Sequence, residues 1–347
     1  MKFTRPTVRD VARAAGVSPM TVSRVVANPL SVREANRRAV EEAMARLGYE
    51  PDPAARSMRT GRTQRVGFIV PDLTNSTNAT VAQAAERRLA KSGYEFMVFS
   101  TDFDLGMERS ILERARNKLV DGLLIALTSE SAPYLASMLP RMNMPIVFID
   151  RECGYPADAV LSDHRLAMKQ VVTHLVGLGH RKICLLSAPQ AIRPGRERVA
   201  AFREALEELE LPPECGLVLD GDQSVDYGYR STLRLMALPN SPTALIAGAN
   251  QLMMGAYRAL RELHLSIPED VSFVGTDDPF IASILSPPAT VIWRDMNEVG
   301  TLAAELILER LSDPTSSNHN VLHVASHLEL RQSTARANPL VRPDAFA

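Results

Sequence analysis

No stretch of this 347-residue chain approaches the roughly twenty consecutive apolar residues that a membrane-spanning helix needs, so no membrane partner is expected. Cysteine is scarce. Cys153, Cys184 and Cys215 are odd in number, far apart and without a Cys-x-x-Cys, and they read as free thiols in a reducing compartment. The loops Gly-x-Gly-x-x-Gly and Gly-x4-Gly-Lys-Ser/Thr are missing, as is the Gly-x-Ser-x-Gly nucleophile turn. Nucleotide-binding and hydrolase chemistry therefore lack their frames, and neither enzyme activity nor a cofactor is expected. His319, His323 and His327 are four residues apart, but 321–328 reads as a single strand. Residues four apart in a strand are roughly 13 Å distant, too far to share one ion, so no metal is expected. The segment Met1–Pro6 is basic but lacks the apolar run of a secretory signal, and a cytoplasmic, nucleoid-associated protein is expected.

What is present is ordinary globular material with an uneven charge. Hydrophobic residues make up 46% and charged residues 23%, and the length allows more than one domain. Residues 1–65 hold 13 Lys/Arg against 6 Asp/Glu, a net of +7. The remainder holds 26 against 34, a net of −8. A basic head on an acidic body points to a polyanion partner for the head alone.

Residues 7–48 read as three short helices. Strand-length apolar runs follow at 65–70, 94–99, 120–125, 145–149, 182–186, 217–219, 244–247, 271–275 and 290–292. Stretches of helical period lie between them at 78–92, 105–118, 164–178, 196–209, 226–237, 250–264 and 296–311. Such alternation implies parallel sheets covered on both faces. It runs too long for one sheet, so the body is expected to be α/β with two doubly wound parallel-sheet lobes behind an all-α head. The expected domains are 1–50 (DNA-binding head), 51–64 (hinge helix and linker), 65–334 (two-lobed body) and 335–347 (disordered tail).

The sharpest local signal is Ala12-x3-Gly16-x5-Val22, the pattern of a helix-turn-helix. A small residue lets two helices cross closely, glycine takes the positive-φ turn, and an apolar residue of the second helix packs back on the first. Ser18 caps that second helix, with Pro19 in its first turn. Val22, Val25 and Val26 are expected to face inward, and Pro19, Met20, Ser23 and Arg24 outward.

Thr7-Val8-Arg9-Asp10-Val11-Ala12-x-x-Ala15-Gly16-Val17-Ser18-x-x-Thr21-Val22-Ser23-Arg24-Val25 closely resembles the LacI/GalR repressors. So does Leu47-Gly48-Tyr49-x-Pro51-x-x-x-Ala55-Arg56-Ser57-Met58. In the body Val120-Asp121-Gly122-Leu123, Phe148-Ile149-Asp150-Arg151, Gly179-His180, Gly275-x-Asp277 and Arg331-x-Ser333 are similar as well, and the resemblance spans roughly 7–334. It implies a helix-turn-helix head whose second helix enters the major groove of double-stranded, pseudo-palindromic operator DNA. Arg24 would take guanine, because its fork matches the O6 and N7 acceptors. Pro19 and Met20 occupy the positions that tune operator choice, by apolar contact; the alternative for Met20 is plain exposure with no readout. Thr7, Ser18, Thr21, Ser23, Asn28 and Arg56 would position the phosphates. Ala27 stands where many members carry Asn. Met58 replaces the usual Leu as a minor-groove wedge, or else packs on its dimer mate.

The resemblance also implies a sensor body like the two-lobed periplasmic sugar-binding fold, with a small-molecule effector bound between the lobes of a homodimer. Its pocket maps onto Ser76, Thr77, Asn78, Arg151, Arg198, Asn250, Asp277 and Arg294. Many members have aromatic residues at 76–78, so this wall is expected to be unusually polar. Three arginines, with Asn250 where Asp is common, favour a sugar acid or sugar phosphate. If instead Arg294 or Arg151 pairs with Asp277 or Asp150, a neutral sugar site results. The rival from another class is a two-lobed solute-binding or sensor protein without operator-specific DNA binding.

Overall fold

Three helices close the head around small apolar side chains: Val8–Ala15 (α1), Pro19–Ala27 (α2) and Glu34–Leu47 (α3). Residues 6–50, 61–315 and 318–338 are described by this computed structural model. The chain divides into a head, Met1–Thr63, and a body, Gln64–Ala347. Thr7 opens α1 with a capping box: its hydroxyl and backbone N–H donate to Asp10 at 2.7 and 2.9 Å. Those bonds hold the Asp10 carboxyl below its usual range. Gly16 ends α1 at φ 66°, a left-handed conformation that costs a side-chain-bearing residue more. Two residues later Ser18 caps α2, accepting from the Thr21 N–H at 3.1 Å. So tight a turn sets α2 across α1, and Val11, Ala12, Val22, Val25, Val40 and Ala43 are buried together.

In the body, the first lobe is built from Arg65–Val70 (β1), Ser76–Ala90 (α4), Glu95–Ser100 (β2), Leu105–Arg114 (α5), Gly122–Ile125 (β3), Leu135–Met138 (α6), Ile146–Ile149 (β4) and Asp158–Ser162 (β5). The second contains Arg165–Gly177 (α7), Ile183–Ser187 (β6), Arg193–Glu208 (α8), Gly216–Asp220 (β7) and Val225–Met236 (α9). Ala244–Ala247 (β8), Asn250–Glu262 (α10), Ser272–Thr276 (β9), Pro279–Ile284 (α11) and Thr290–Arg294 (β10) complete that run. Met296–Ser312 (α12) and Val321–Val324 (β11) then return to the first lobe, and Ser326–Glu329 (β12) to the second. The sheet orders are β11-β5-β4-β3-β1-β2 and β12-β10-β9-β8-β6-β7. Every pairing is parallel except β10 with β12.

Both faces of each sheet are covered, which is why the strands read as continuous apolar runs. Phe68 packs under α4 and α12 with Val81, Leu89 and Ile307. Its neighbour Ile69 faces Ile111 and Leu112 of α5 on the other side. In the second lobe Leu186 meets α9 and α10, and Leu185 meets α7 and α8. Gly300 lets α12 lie close on α4, since a Cβ there would stand 2.4 Å from the Val81 carbonyl oxygen.

The structure departs from the sequence expectations at four places. The helix expected over 105–118 ends at Arg114, and a wider turn follows over Ala115–Leu119, with Lys118 at φ 61°. Strand β5 was not expected; it is five residues long and opens on Asp158, whose charge hides the apolar signal. The single strand expected over 321–328 is two. β11 pairs with β5 in the first sheet and β12 with β10 in the second, so His323 and His327 belong to different lobes. The tail expected to be disordered from 335 is held through 338. The Ala335 carbonyl accepts from the His180 Nε2–H at 3.0 Å, and the Ala337 N–H donates to the Leu178 carbonyl at 2.9 Å. Just before them, buried Ser333 accepts from the Thr290 N–H at 2.8 Å.

Candidate functional site

The chain crosses between lobes three times, after β5, β10 and β11, and the C-terminal ends of the central strands face a common cleft there. The cleft is narrow, with a cavity of about 70 Å3 between side chains of both lobes. Asp150 and Asp277 follow β4 and β9, which hold the same place in the two sheet orders. Both have positive φ, 50° and 75°, a conformation aspartate tolerates better than most residues.

One guanidinium joins these two carboxylates. Arg294, at the end of β10, lies 3.4 Å from Asp150 and 3.2 Å from Asp277, and all three side chains are over nine-tenths buried. Arg198 of α8 shares its Nη2 between the two Asp277 oxygens, each at 3.2 Å, and donates from Nη1 to the Gly248 carbonyl. Asp150 also accepts from the Ser162 N–H and hydroxyl at 2.6 and 2.9 Å. Burial alone would raise both carboxyl pKa values. The guanidiniums beside them win: Arg294, with the Ser162 N–H, holds Asp150 well below its usual range, and Arg198 and Arg294 lower Asp277.

His164, in the crossover after β5, sits 3.1 Å from Arg294 through Nδ1 and 3.5 Å from Asp150 through Nε2. Burial pushes its pKa down to about 3, so it is neutral. An unfolded histidine takes a proton near pH 6.5, whereas folded His164 does not until about pH 3. The unfolded state binds the extra proton across that window, so its stabilisation is complete above pH 6.5 and declines towards pH 3. Between pH 7 and 5 the body is expected to lose roughly 2 kcal/mol through this residue. A His164→Gln protein should lose correspondingly less, read as urea midpoints at the two pH values. Equal losses in both proteins would contradict the assignment.

Seven of the eight cleft residues expected from sequence line this space: Thr77, Asn78, Arg151, Arg198, Asn250, Asp277 and Arg294. Ser76 instead belongs to a joint between lobes. Its hydroxyl donates to Asp278 and accepts from Asn250, each at 2.9 Å, while Asn250 also donates to Asn75 at 2.9 Å. Gln251 reaches Asp72 at 2.6 Å in the same joint. Asp150, foreseen only as an alternative partner of the arginines, also lines the cleft, as do Asn75, Gln223 and Phe103, which the sequence reading does not include. Phe103 adds a ring to the cleft from outside 76–78, on the loop after β2, where its φ is 58°. No signal at 76–78 could have revealed that ring.

On the head, Pro19, Met20 and Arg24 are exposed, with Met20 62% accessible, while Val22 and Val25 of the same helix are buried. Thr7, Ser18 and Asn28 are exposed; Thr21, Ser23 and Val26 are half-buried, so Ser23 and Val26 lie on the border between the two faces. The hydroxyls of Thr7 and Ser18 already serve the helix caps. Arg56 and Met58, together with the hinge helix expected around them, lie outside the described residues.

Comparison with known proteins places these features in a family. Residues 7–52 match bacterial regulatory proteins of the lacI family, and 172–334 match a periplasmic binding protein-like domain. The chain is 31% identical over 310 residues to the ribose operon repressor of Escherichia coli (strain K12), covering 89% of this chain and 94% of that one. It is 29% identical to the transcriptional repressor PurR of Aliivibrio salmonicida, over 88% of this chain and 92% of that one. Among solved structures, the lac repressor dimer bound to operator and the anti-inducer ONPF superposes with a TM-score of 0.81 at 28% identity, covering 96% of this chain and all of that one. A LacI family regulator from Enterococcus faecium with bound ribose gives 0.70 at 27%, over 79% of this chain and all of that one.

Proposed function

Because this chain belongs to the lacI family of bacterial regulatory proteins, we propose that its head reads operator DNA as half of a homodimer while the cleft holds a compact polyhydroxylated effector. The activity is DNA-binding repression under the control of a small metabolite. One observation carries the DNA reading: a single capped helix, α2, buries Val22 and Val25 and leaves Pro19, Met20 and Arg24 free on its outer side. Arg24 takes a guanine edge, Pro19 and Met20 offer apolar contact, and Thr7, Ser18, Thr21, Ser23, Asn28 and Arg56 position phosphates. Two copies are needed because one such helix covers too few base pairs for genomic selectivity. Met58 enters the minor groove between the half-sites.

The lining of the cleft suits a polyhydroxylated ligand, which the lobes would part to admit. Carboxylate, amide and guanidinium groups hydrogen-bond hydroxyls, and Phe103 offers an apolar face. Arg294 lies on a crossover and holds Asp150 of one lobe and Asp277 of the other, so a ligand touching them favours one lobe arrangement over another. Titrating the operator-bound protein with pentoses, hexoses and their acids, read by fluorescence anisotropy, tests this. At least one compound should change operator affinity by about 5- to 150-fold. If cleft ligands bind and leave operator affinity untouched, the coupling is refuted.

A further inference from the structure

Resting on the reading of the cleft as the effector site, we propose that the effector is a sugar acid, whose single carboxylate is received by Arg151. The cleft wall carries three guanidiniums, Arg151, Arg198 and Arg294, against two carboxylates, Asp150 and Asp277. Arg198 and Arg294 are both paired with those carboxylates, the pairing of Arg294 being the one expected to leave a neutral site, so the anion preference rests on Arg151 alone. Arg151 has no carboxylate within 4 Å among the described residues. Its Nε donates to the Leu127 carbonyl at 2.6 Å and Nη1 to the Asp150 carbonyl at 2.9 Å. No hydrogen bond from Nη2 is present among the described residues.

Glu130, Asp150 and Glu108 act on Arg151 electrostatically, but none is ion-paired with it among the described residues, and each holds other partners. Glu130 holds the Arg193 N–H at 2.7 Å and the Arg196 guanidinium at 2.6 Å. Glu108 accepts from Tyr134 and from the Thr128 N–H at 2.7 Å. Glu152 takes Arg193 at 2.9 Å. Arg151 is 7% exposed, and burial lowers its pKa against the pull of Glu130, Asp150 and Glu108. A buried cation of this kind is stabilised by an incoming anion with hydrogen-bonding oxygens. The two oxygens of a carboxylate fit the one guanidinium of the cleft wall that forms no ion pair among the described residues. The amides of Asn75, Asn78 and Gln223, with the Phe103 ring, are left for the hydroxylated chain.

Matched pairs test the proposal on the full-length protein: glycerol with D-glycerate, D-ribose with D-ribonate, and D-glucose with D-gluconate, at one sodium ionic strength. Thermal shift and calorimetry should show, in at least one pair, the acid binding about 10- to 100-fold tighter than its neutral partner. Arg151→Met should erase that ratio, and Arg151→Lys should retain part of it. Should the methionine variant not fold, the wild-type ratios still decide. Neutral partners binding as well as the acids in every pair overturn the charge assignment and leave the cleft reading standing. No binding by any compound overturns both. Ribose 5-phosphate binding more tightly than every acid overturns the carboxylate, and an acid preference that survives Arg151→Met overturns the role of Arg151.

Discussion

An Arg294→Ala protein is expected to lose about 3–5 kcal/mol of body stability together with its effector response. The size follows from what the substitution leaves behind. Asp150 and Asp277 belong to opposite lobes, are over nine-tenths buried, and share this guanidinium at 3.4 and 3.2 Å. Its removal leaves two desolvated negative charges facing one another, with Arg198 still on Asp277 and Arg193 standing 3.7 Å from Asp150. Arg294→Lys should recover only part of the loss, because one ammonium lacks the two-pronged reach of a guanidinium. Urea denaturation measures the effect, and lowering the pH should narrow the gap to the wild type as the exposed carboxylates take up protons. A loss below about 1 kcal/mol, the range of a surface ion pair, would mean that the bridge does not join the lobes.

Arg24→Ala should do the reverse, leaving stability within about 0.5 kcal/mol while removing operator choice. The side chain is exposed on α2, so the fold does not depend on it. A lost bidentate guanine contact costs about 1–3 kcal/mol at each half-site, hence about 2–6 kcal/mol for a dimer and at least roughly 30-fold in the ratio of operator to scrambled affinity. Arg9→Ala provides the contrast, since an exposed phosphate contact on α1 should weaken both duplexes alike and flatten the salt dependence by about one unit. If Arg24→Ala lowers both affinities equally, Arg24 holds a phosphate and the base reader lies elsewhere on α2.

The parts of the molecule legible in the sequence were those specified by near neighbours. Thr7 with Asp10, Ser18 with Thr21, and Gly16 act within a few residues, and the helices of the head begin and end around them. The body's longer strands could be found because each is covered on both faces and reads as an apolar run. Strand β5 opens on Asp158, whose carboxylate is buried against the Arg310 guanidinium 152 residues onward; no local pattern carries such a pairing. The split at Ala325 escaped for a similar reason. Val321–Glu329 is almost evenly apolar and polar, and only the two sheets decide that it changes lobes. Within the cleft, residue types pointed to Arg151, Arg198 and Arg294, and a pairing of Arg294 or Arg151 with Asp277 or Asp150 stood as one of two alternatives that sequence left open. Arg294 pairs with Asp150 and Asp277, and Arg151 with neither, a distinction settled by distances across the fold.

Selection from a random duplex library tests the account most directly, followed by affinity measurements on the winner, a scrambled duplex and an isolated half-site at physiological ionic strength. The expected result is a pseudo-palindrome bound at least about 1,000-fold more tightly than the scrambled duplex, with the half-site losing most of that advantage. Equal affinity for all three duplexes, with and without a cleft ligand, would contradict the claim that the outer side of α2 reads bases.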